Sequence, residues 1–372
     1  MGENMKTAIL TKKKSTFILS YIPLTFGIFF IGFMLLRFPE TASQGISDGV
    51  DLSLGILIPS LYPFMVLSSL IVELDLFRNT PKFADKISQM FFRLSGKSLG
   101  VFLLSLIGGL PLGCKMTSEL YDKGKITRSE SRRMMLFCYC CGPAFTISSV
   151  GLYMLGSKQA GAVIYLAIIL SAVTVGILSR FFGDENDQRI NYKTTNESQV
   201  FSVSLVRSVS SGSTAMLSVC AWVILFSCIN RLIEILPISD SFKLFLYAIS
   251  EVTNGVYISS GTLSLPIIAG IVAFGGLCGH CQVMPYVVKL KLGYKVFLTS
   301  RIISGALSVI YCELLLKIIP VSYEVFSIGT PPTRISPSIS AGLSISMLIT
   351  AGLFLLGDSS ILKIKTKKDH RF

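Results

Sequence analysis

Histidine and tryptophan are almost missing from this sequence: two His (His280 and His370) and one Trp (Trp222) among 372 residues. A histidine-rich metal enzyme is excluded on that count. Charged residues are scarce as well, 15% of the chain against about 25% in an ordinary soluble domain, which argues against a cytosolic enzyme. No G-x-x-x-x-G-K run followed by Ser or Thr occurs, so there is no phosphate-cradling loop for ATP-driven work. No nucleophile–base–orienter set is visible either, and no catalytic residues are expected. Nine Cys are present, but disulfide scaffolds are short and polar. This chain is neither.

What is plentiful is apolar sequence: 51% hydrophobic, with a mean hydropathy of +0.66. A transmembrane helix needs about 20 mostly apolar residues to cross a hydrocarbon layer of roughly 30 Å. Stretches of that kind lie at 17–36, 50–74, 134–157, 160–182, 203–236, 266–288, 295–319 and 340–360. Two shorter ones, 99–113 and 241–258, carry helix breakers near one end. The first stretch follows Lys12-Lys13-Lys14 and is longer than the apolar core of a signal peptide. It is read as a retained span.

The cations outnumber the acids, 34 Lys and Arg against 21 Asp and Glu. Nucleic-acid binders gather such an excess on one soluble face, whereas short basic loops mark the cytoplasmic side of a membrane protein. Residues 75–98 hold Arg78, Lys82, Lys86, Arg93 and Lys97; residues 114–133 hold Lys115, Lys123, Lys125, Arg128, Arg132 and Arg133. Both loops, the N-terminus, 180–202, 289–295 and the basic tail fall inside if 99–113 and 241–258 each enter and leave by one face. The expected partner is thus a lipid bilayer, with no nucleic acid and both termini cytoplasmic. Irregular backbone at membrane depth is tolerated only beside protein or a water-filled cavity, so two re-entrant segments point to a permeation or binding site.

Residues 134–182 also align with 271–319 at a constant offset of 137: Phe137 with Phe274, Cys141-Gly142 with Cys278-Gly279, Ser171 with Ser308. Chance matching of two apolar stretches is the alternative. Each half reads as span, re-entrant stretch, broken span, span, and three crossings per half invert one half against the other. The expected fold is an all-α polytopic membrane protein with about eight transmembrane helices plus two re-entrant hairpins in an inverted repeat. The expected divisions are 1–49 (first span and outer loop), 50–182 (first half), 183–202 (cytoplasmic linker), 203–319 (second half) and 320–372 (last span and basic tail). Inverted repeats with discontinuous helices are a design of secondary transporters, which hold substrate at the repeat interface.

The candidate substrate-binding residues lie at the breaks. Gly113, Lys115, Thr117, Ser118 and Glu119 follow the first tip, where a returning helix would aim backbone N–H groups at an anion. A plain cytoplasmic helix start is the competing reading. Glu251, with Thr253 and Asn254, interrupts an apolar run; an acid at such a place is functional by default, unless it lies at headgroup level. The broken spans centre on Gly142-Pro143 and on 275–282, with His280 and Gln282 as polar groups, although simple packing kinks would use the same residues. Cys278, His280 and Cys281 form a soft-ligand alternative for a metal, against which buried thiols acting as small apolar groups are the plainer reading. Arg207, Arg301 and Glu313 are expected to snorkel or to pair between helices.

These runs together resemble a known family. Pro59-Ser60-Leu61-Tyr62-Pro63-Phe64, Gly109-Leu110-Pro111-Leu112-Gly113-Cys114-Lys115-Met116-Thr117-Ser118-Glu119-Leu120-Tyr121 and Cys141-Gly142-Pro143 are similar to the YlbJ family of sporulation integral membrane proteins, in the nucleoside-recognition (Gate) superfamily. Ala273-Phe274-Gly275-Gly276-Leu277 and Gln282 echo its second half, and the Cys-rich breaks with His280 depart from its pattern.

The resemblance implies an architecture similar to that of concentrative nucleoside transporters, with hairpin acids that contact substrate; Thr117-Ser118-Glu119 and Glu251 occupy the matching places. It also implies passage of dipicolinate across the outer forespore membrane during endospore formation. Nucleoside transport, a Gate-type metal-ion permease and a non-transporting sporulation assembly factor stay open. Dipicolinate, a dianion, needs cations such as Lys115 or a protonated His280. Two acids oppose it unless they are protonated or hold a cation. No resident cofactor is expected, only a coupling or co-transported cation, and the partners are a small-molecule substrate, a second copy or sporulation membrane proteins.

Overall fold

The structure, a computed structural model, describes residues 25–78, 80–182, 201–259 and 262–321. The expected last span, 340–360, the basic tail, the linker 183–200 and the first residues of the expected first span lie outside them. Among the described residues every regular element is helical.

In chain order these are α1, described over Thr25–Arg37, α2 (Pro39–Leu52), a π-helical stretch π1 (Ser53–Leu57) and α3 (Ile58–Glu73). Next come α4 (Lys82–Phe92), α5 (Gly96–Gly108), α6 (Leu112–Asp122), α7 (Arg128–Phe137), the π-helical π2 (Ala144–Met154) and α8 (Lys158–Leu178). The remainder are α9 (Phe201–Glu234), α10 (Asp240–Ser250), α11 (Val252–Ser259), α12 (Leu265–Phe274), α13 (Gly276–Lys289) and α14 (Tyr294–Ile318).

Small residues set how these helices meet. A Cβ on Gly45 or Gly49 of α2 would come within 2.7 Å of the Cys228 or Ile224 Cα on α9. Gly151 of π2 and Gly161 of α8 lie backbone to backbone, and Gly305 of α14 faces the Gly270 carbonyl of α12. Close approach through Gly and Ser is how helices associate where lipid supplies no hydrophobic drive. Hydroxyls reinforce the seams: Ser171 donates to the Ser304 carbonyl (2.9 Å), and the Thr174 and Tyr311 hydroxyls are 2.7 Å apart.

The outside is apolar as well. Phe26, Phe29, Phe33 and Leu36 on α1, Leu217 and Leu225 on α9, and Ile302, Ile310 and Ile318 on α14 are all exposed. Soluble monomers do not present apolar surface on this scale. Together with the apolar helices it marks an integral membrane protein.

Among the described residues three helical segments are long and apolar enough to cross a membrane: Lys158–Phe181, Phe201–Glu234 and Leu265–Lys289. Two bent pairs would raise the number to five if each were one span: Thr25–Arg37 with Pro39–Gly55, bent by 101°, and Lys82–Phe92 with Gly96–Gly108, bent by 83°. The expectation of about eight transmembrane helices, some of them broken, is therefore met only in part. Stretch 134–157 is interrupted: α7 ends at Phe137, the chain is non-helical over 138–142, and the helix resumes at Pro143 and continues in the wider π winding.

The polar "loop" 114–133 needs correcting too. Most of it is the body of α6 and the start of α7, which opens with a capping box between Thr127 and Glu130. Two of its six cations, Lys115 and Arg133, are buried. Arg133 donates to the Phe92 and Arg93 carbonyls and so caps the end of α4.

Candidate functional site

Each short apolar stretch folds as a pair of helices with a break. In the first pair, α5 ends at Gly108. Gly109 takes φ +74°, a left-handed value that glycine adopts without strain, and the Leu110–Pro111 peptide is cis before α6 starts. In the second pair, α10 ends at Ser250 and α11 starts at Val252; Glu251 is the extended residue between them. Both breaks were expected at these places.

Each tip then rests on the interrupted helix that follows it in sequence. A methyl on Gly109 would lie 2.9 Å from the Gly142 nitrogen, and one on Gly142 would lie 2.9 Å from the Ile107 carbonyl oxygen. In the second pair, a methyl on Gly276 (φ +63°) would meet the Val252 nitrogen at 3.1 Å and the Glu251 Cα at 3.3 Å. Backbone thus lies on backbone at both seams. The carbonyl that the first break frees, that of Gly142, accepts from the Thr146 amide and hydroxyl at 3.0 and 2.7 Å.

The two breaks also touch each other. The Tyr139 hydroxyl donates to the Gly275 carbonyl at 3.3 Å, and the Cys141 thiol donates to the Val272 carbonyl at 3.4 Å. Arg301, from α14, lies over the Tyr139 ring (4.8 Å) and the Phe297 ring (5.6 Å). It donates to the Tyr139 carbonyl at 2.8 Å and to the Leu136 carbonyl. Arg301 is 1% exposed, so of the two readings of it snorkelling does not hold, and a contact between helices does. It is taken up by one carbonyl of the last turn of α7, that of Leu136, and one of the non-helical stretch after it, that of Tyr139.

The charged cluster sits on α6. Lys115, 2% exposed, bonds Glu119 one turn on (Nζ to Oε1, 2.6 Å) and the Ser69 hydroxyl of α3. Glu119 Oε1 also accepts from Ser69 (2.8 Å) and from Ser211 of α9 (2.7 Å). One carboxylate oxygen therefore receives an ammonium and two hydroxyls, while Oε2 has no hydrogen-bond partner among the described residues. Charge-assisted bonds of this length are the strong class. The reading of Lys115 and Glu119 as solvated charges at a helix start does not hold.

The other expected residues fall into different roles. Gly113 packs α6 against the Cys138 carbonyl and Ser105. Thr117 is fully buried and returns its hydroxyl to the Gly113 carbonyl at 2.7 Å, and Ser118 is buried beside it. Pro143 caps π2. Glu251 is 5% exposed, and its Oε1 accepts the Thr253 amide at 2.9 Å. The headgroup-level reading of this acid does not fit such burial. The side chain of Asn254 lies outside the described residues.

His280 is 1% exposed; its ring nitrogens face the Phe274 carbonyl (3.0 Å) and the Tyr294 hydroxyl (3.5 Å) among the rings of Tyr139, Phe274 and Phe297. Gln282 points its amide at the Cys278 sulfur, 3.5 Å away. Among the described residues no group of three or more His, Cys, Asp or Glu side chains is placed to hold a metal ion. With the His280 nitrogens engaged, the Cys278–His280–Cys281 alternative does not assemble.

Ser69, Ser211 and Tyr139 were not anticipated, and Arg301 was expected only to snorkel or to pair between helices. A signal did exist for Ser211: 202–214 carries six Ser and one Thr within an otherwise apolar span. Nothing local marks Ser69 or Tyr139.

Comparison with known proteins adds one relationship. The chain is 23% identical over 329 residues to the sporulation integral membrane protein YlbJ of Bacillus subtilis (strain 168), across 77% of this chain and 81% of that protein. No family model matches the chain. No solved structure matches it either.

Proposed function

We propose that this chain, a member of the YlbJ family of sporulation integral membrane proteins, is a secondary transporter that moves a small polar metabolite across a membrane during endospore formation. Dipicolinate is the first candidate. The observation that carries this reading is the set of donors around Glu119 Oε1: one buried ammonium and two hydroxyls from three different helices. That is the donor set a substrate carboxylate needs, here satisfied from within. A substrate carboxylate takes Lys115, Ser69 and Ser211 over from Glu119, and the released acid then takes up a proton or a co-transported cation. The exchange keeps the buried charge paired throughout, which is what makes it affordable in a low-dielectric interior.

The order of elements supports the same reading. Helix pair, interrupted helix, long helix occurs as α5–α6, α7–π2, α8 and again as α10–α11, α12–α13, α14. We read this as the inverted repeat, with each pair a re-entrant hairpin. The short helices α3 and π2 and the long α14 then count as further spans. Substrate lies between the halves, as in transporters with broken helices.

Glu251 favours a second substrate. A buried carboxylate at the second break suits a neutral, hydroxyl-rich nucleoside better than a dianion.

The test is uptake by liposomes holding the purified full chain, with an imposed proton or sodium gradient and labelled dipicolinate or uridine. Dipicolinate uptake that Lys115→Ala abolishes and Glu251→Gln spares is the expected result. Uridine uptake lost in Glu251→Gln supports the second substrate instead. Wild-type liposomes that move neither compound refute transport and leave an assembly role. Uptake undiminished in Lys115→Ala refutes the site.

A further inference from the structure

Helix α4 has three faces. At about 100° per residue, Ala84, Ser88 and Phe92 fall on one side, and all three are buried. Phe92 stacks on Phe137 with ring centroids 5.0 Å apart and closes on Gly176 of α8. Phe83, Ile87, Met90 and Phe91 form the next face and stand exposed, Phe83 at 63% and Met90 at 57%. Lys82 and Lys86 form the third face and Arg93 follows at the left-handed end of the helix; all three are exposed and in no ion pair among the described residues. The acid of the helix, Asp85, is turned inward and accepts the Gly96 amide at 2.7 Å.

A second observation fixes the depth of this helix. Arg180, at the end of the 24-residue apolar segment Lys158–Phe181, bonds the Met90 carbonyl at 3.4 Å. Phe181 and Phe182 beside it are 79% and 70% exposed. The end of a membrane-crossing segment lies at the water boundary, so α4 lies there as well. Its axis turns by 83° from α5, the angle of a helix lying flat where its neighbour dips inward.

We infer that α4 is an in-plane helix that holds anionic phospholipid: Phe83, Ile87, Met90 and Phe91 sit among acyl chains while Lys82, Lys86 and Arg93 bind the headgroup phosphates above them. An exposed apolar face flanked by unpaired cations is the chemistry of that surface and not of zwitterionic lipid. The inference rests on the chain being a membrane protein and is independent of what it transports.

The test uses the purified full chain in detergent micelles doped with phosphatidylglycerol, phosphatidylcholine or inorganic phosphate. Thermal unfolding is followed together with lipid retained in mass spectra. Each surface cation near an anionic bilayer contributes about fivefold in affinity. Lys82→Gln/Lys86→Gln/Arg93→Gln therefore weakens the preference for phosphatidylglycerol about a hundredfold. It leaves unfolding in phosphatidylcholine at the wild-type temperature. The charge-conserving Lys82→Arg/Lys86→Arg/Arg93→Lys keeps the preference, which guards against a folding defect. Equal stabilisation of the wild type by both lipids, an undiminished preference in the Gln variant, or full replacement of the lipid by phosphate would each overturn the inference.

Discussion

Arg301 offers the sharpest quantitative test of the central architecture. Its guanidinium supplies the donors for the Leu136 and Tyr139 carbonyls and stacks on two rings. Hydrogen bonds to a charged group contribute about 1.5–3 kcal/mol each, and a desolvated cation–π contact adds up to about 2 kcal/mol. Against this stands the cost of burying the charge, several kcal/mol. Replacing Arg301 by Met removes the charge and its cost together but strands two carbonyls at a helix end. The net expectation is a loss of about 2–3 kcal/mol, chiefly the desolvation of those carbonyls.

Replacing Arg301 by Ala adds a cavity and takes the loss to about 5 kcal/mol. For a chain of this size 1 kcal/mol corresponds to about 2 °C, so Arg301→Met lowers the unfolding temperature in detergent by about 5 °C and Arg301→Ala by about 10 °C. Arg301→Lys keeps one directional donor and falls between wild type and Met. An Arg301→Met protein that unfolds within about 1 °C of wild type, below the half kcal/mol that a single bond would contribute, would refute the argument. The carbonyls would then have other donors, and α7 would not depend on α14 to hold its end.

Two further outcomes follow from named contacts. Gly142→Ala puts a methyl 2.9 Å from the Ile107 carbonyl and should cost about 1–3 kcal/mol of overpacking, read as a lowered unfolding temperature, whereas alanine at Gly293, which has open space around it, should not. Thr127→Ala removes the capping box of α7 and should cost about 1 kcal/mol, with faster amide exchange confined to 128–131; unchanged exchange there would show that tertiary contacts alone hold that helix start.

The helical periodicity and the runs of glycine made the breaks legible before any coordinates. Gly109, Gly142, Glu251 and Gly275 all fall where the helices stop, because glycine, proline and a lone acid leave few other conformations in an apolar run. The burial of Lys115 and Arg301 was not legible. Each is satisfied by groups far away in sequence, Ser69 and Ser211 in one case and Leu136 and Tyr139 in the other, and such partners carry no local signature. His280 misled for the opposite reason: an imidazole in a glycine-rich break looks free, but Phe274 and Tyr294 engage it from its own helix region and the next.

The seams at the two tips have a mechanical consequence. Gly109 against Gly142 and Gly276 against Val252 bring main chain to main chain, with no side chains meshed between them. Surfaces without interlocking teeth slide with little resistance, because no rotamer has to change for one to pass the other. Behind the tips the two interrupted helices are tied to each other from Tyr139 to Gly275 and from Cys141 to Val272, one hydroxyl and one thiol, while Arg301 of α14 holds the Leu136 and Tyr139 carbonyls. The middle of the molecule thus meets main chain to main chain at its tips, with a few polar bonds and one buried cation fixing the helices behind them.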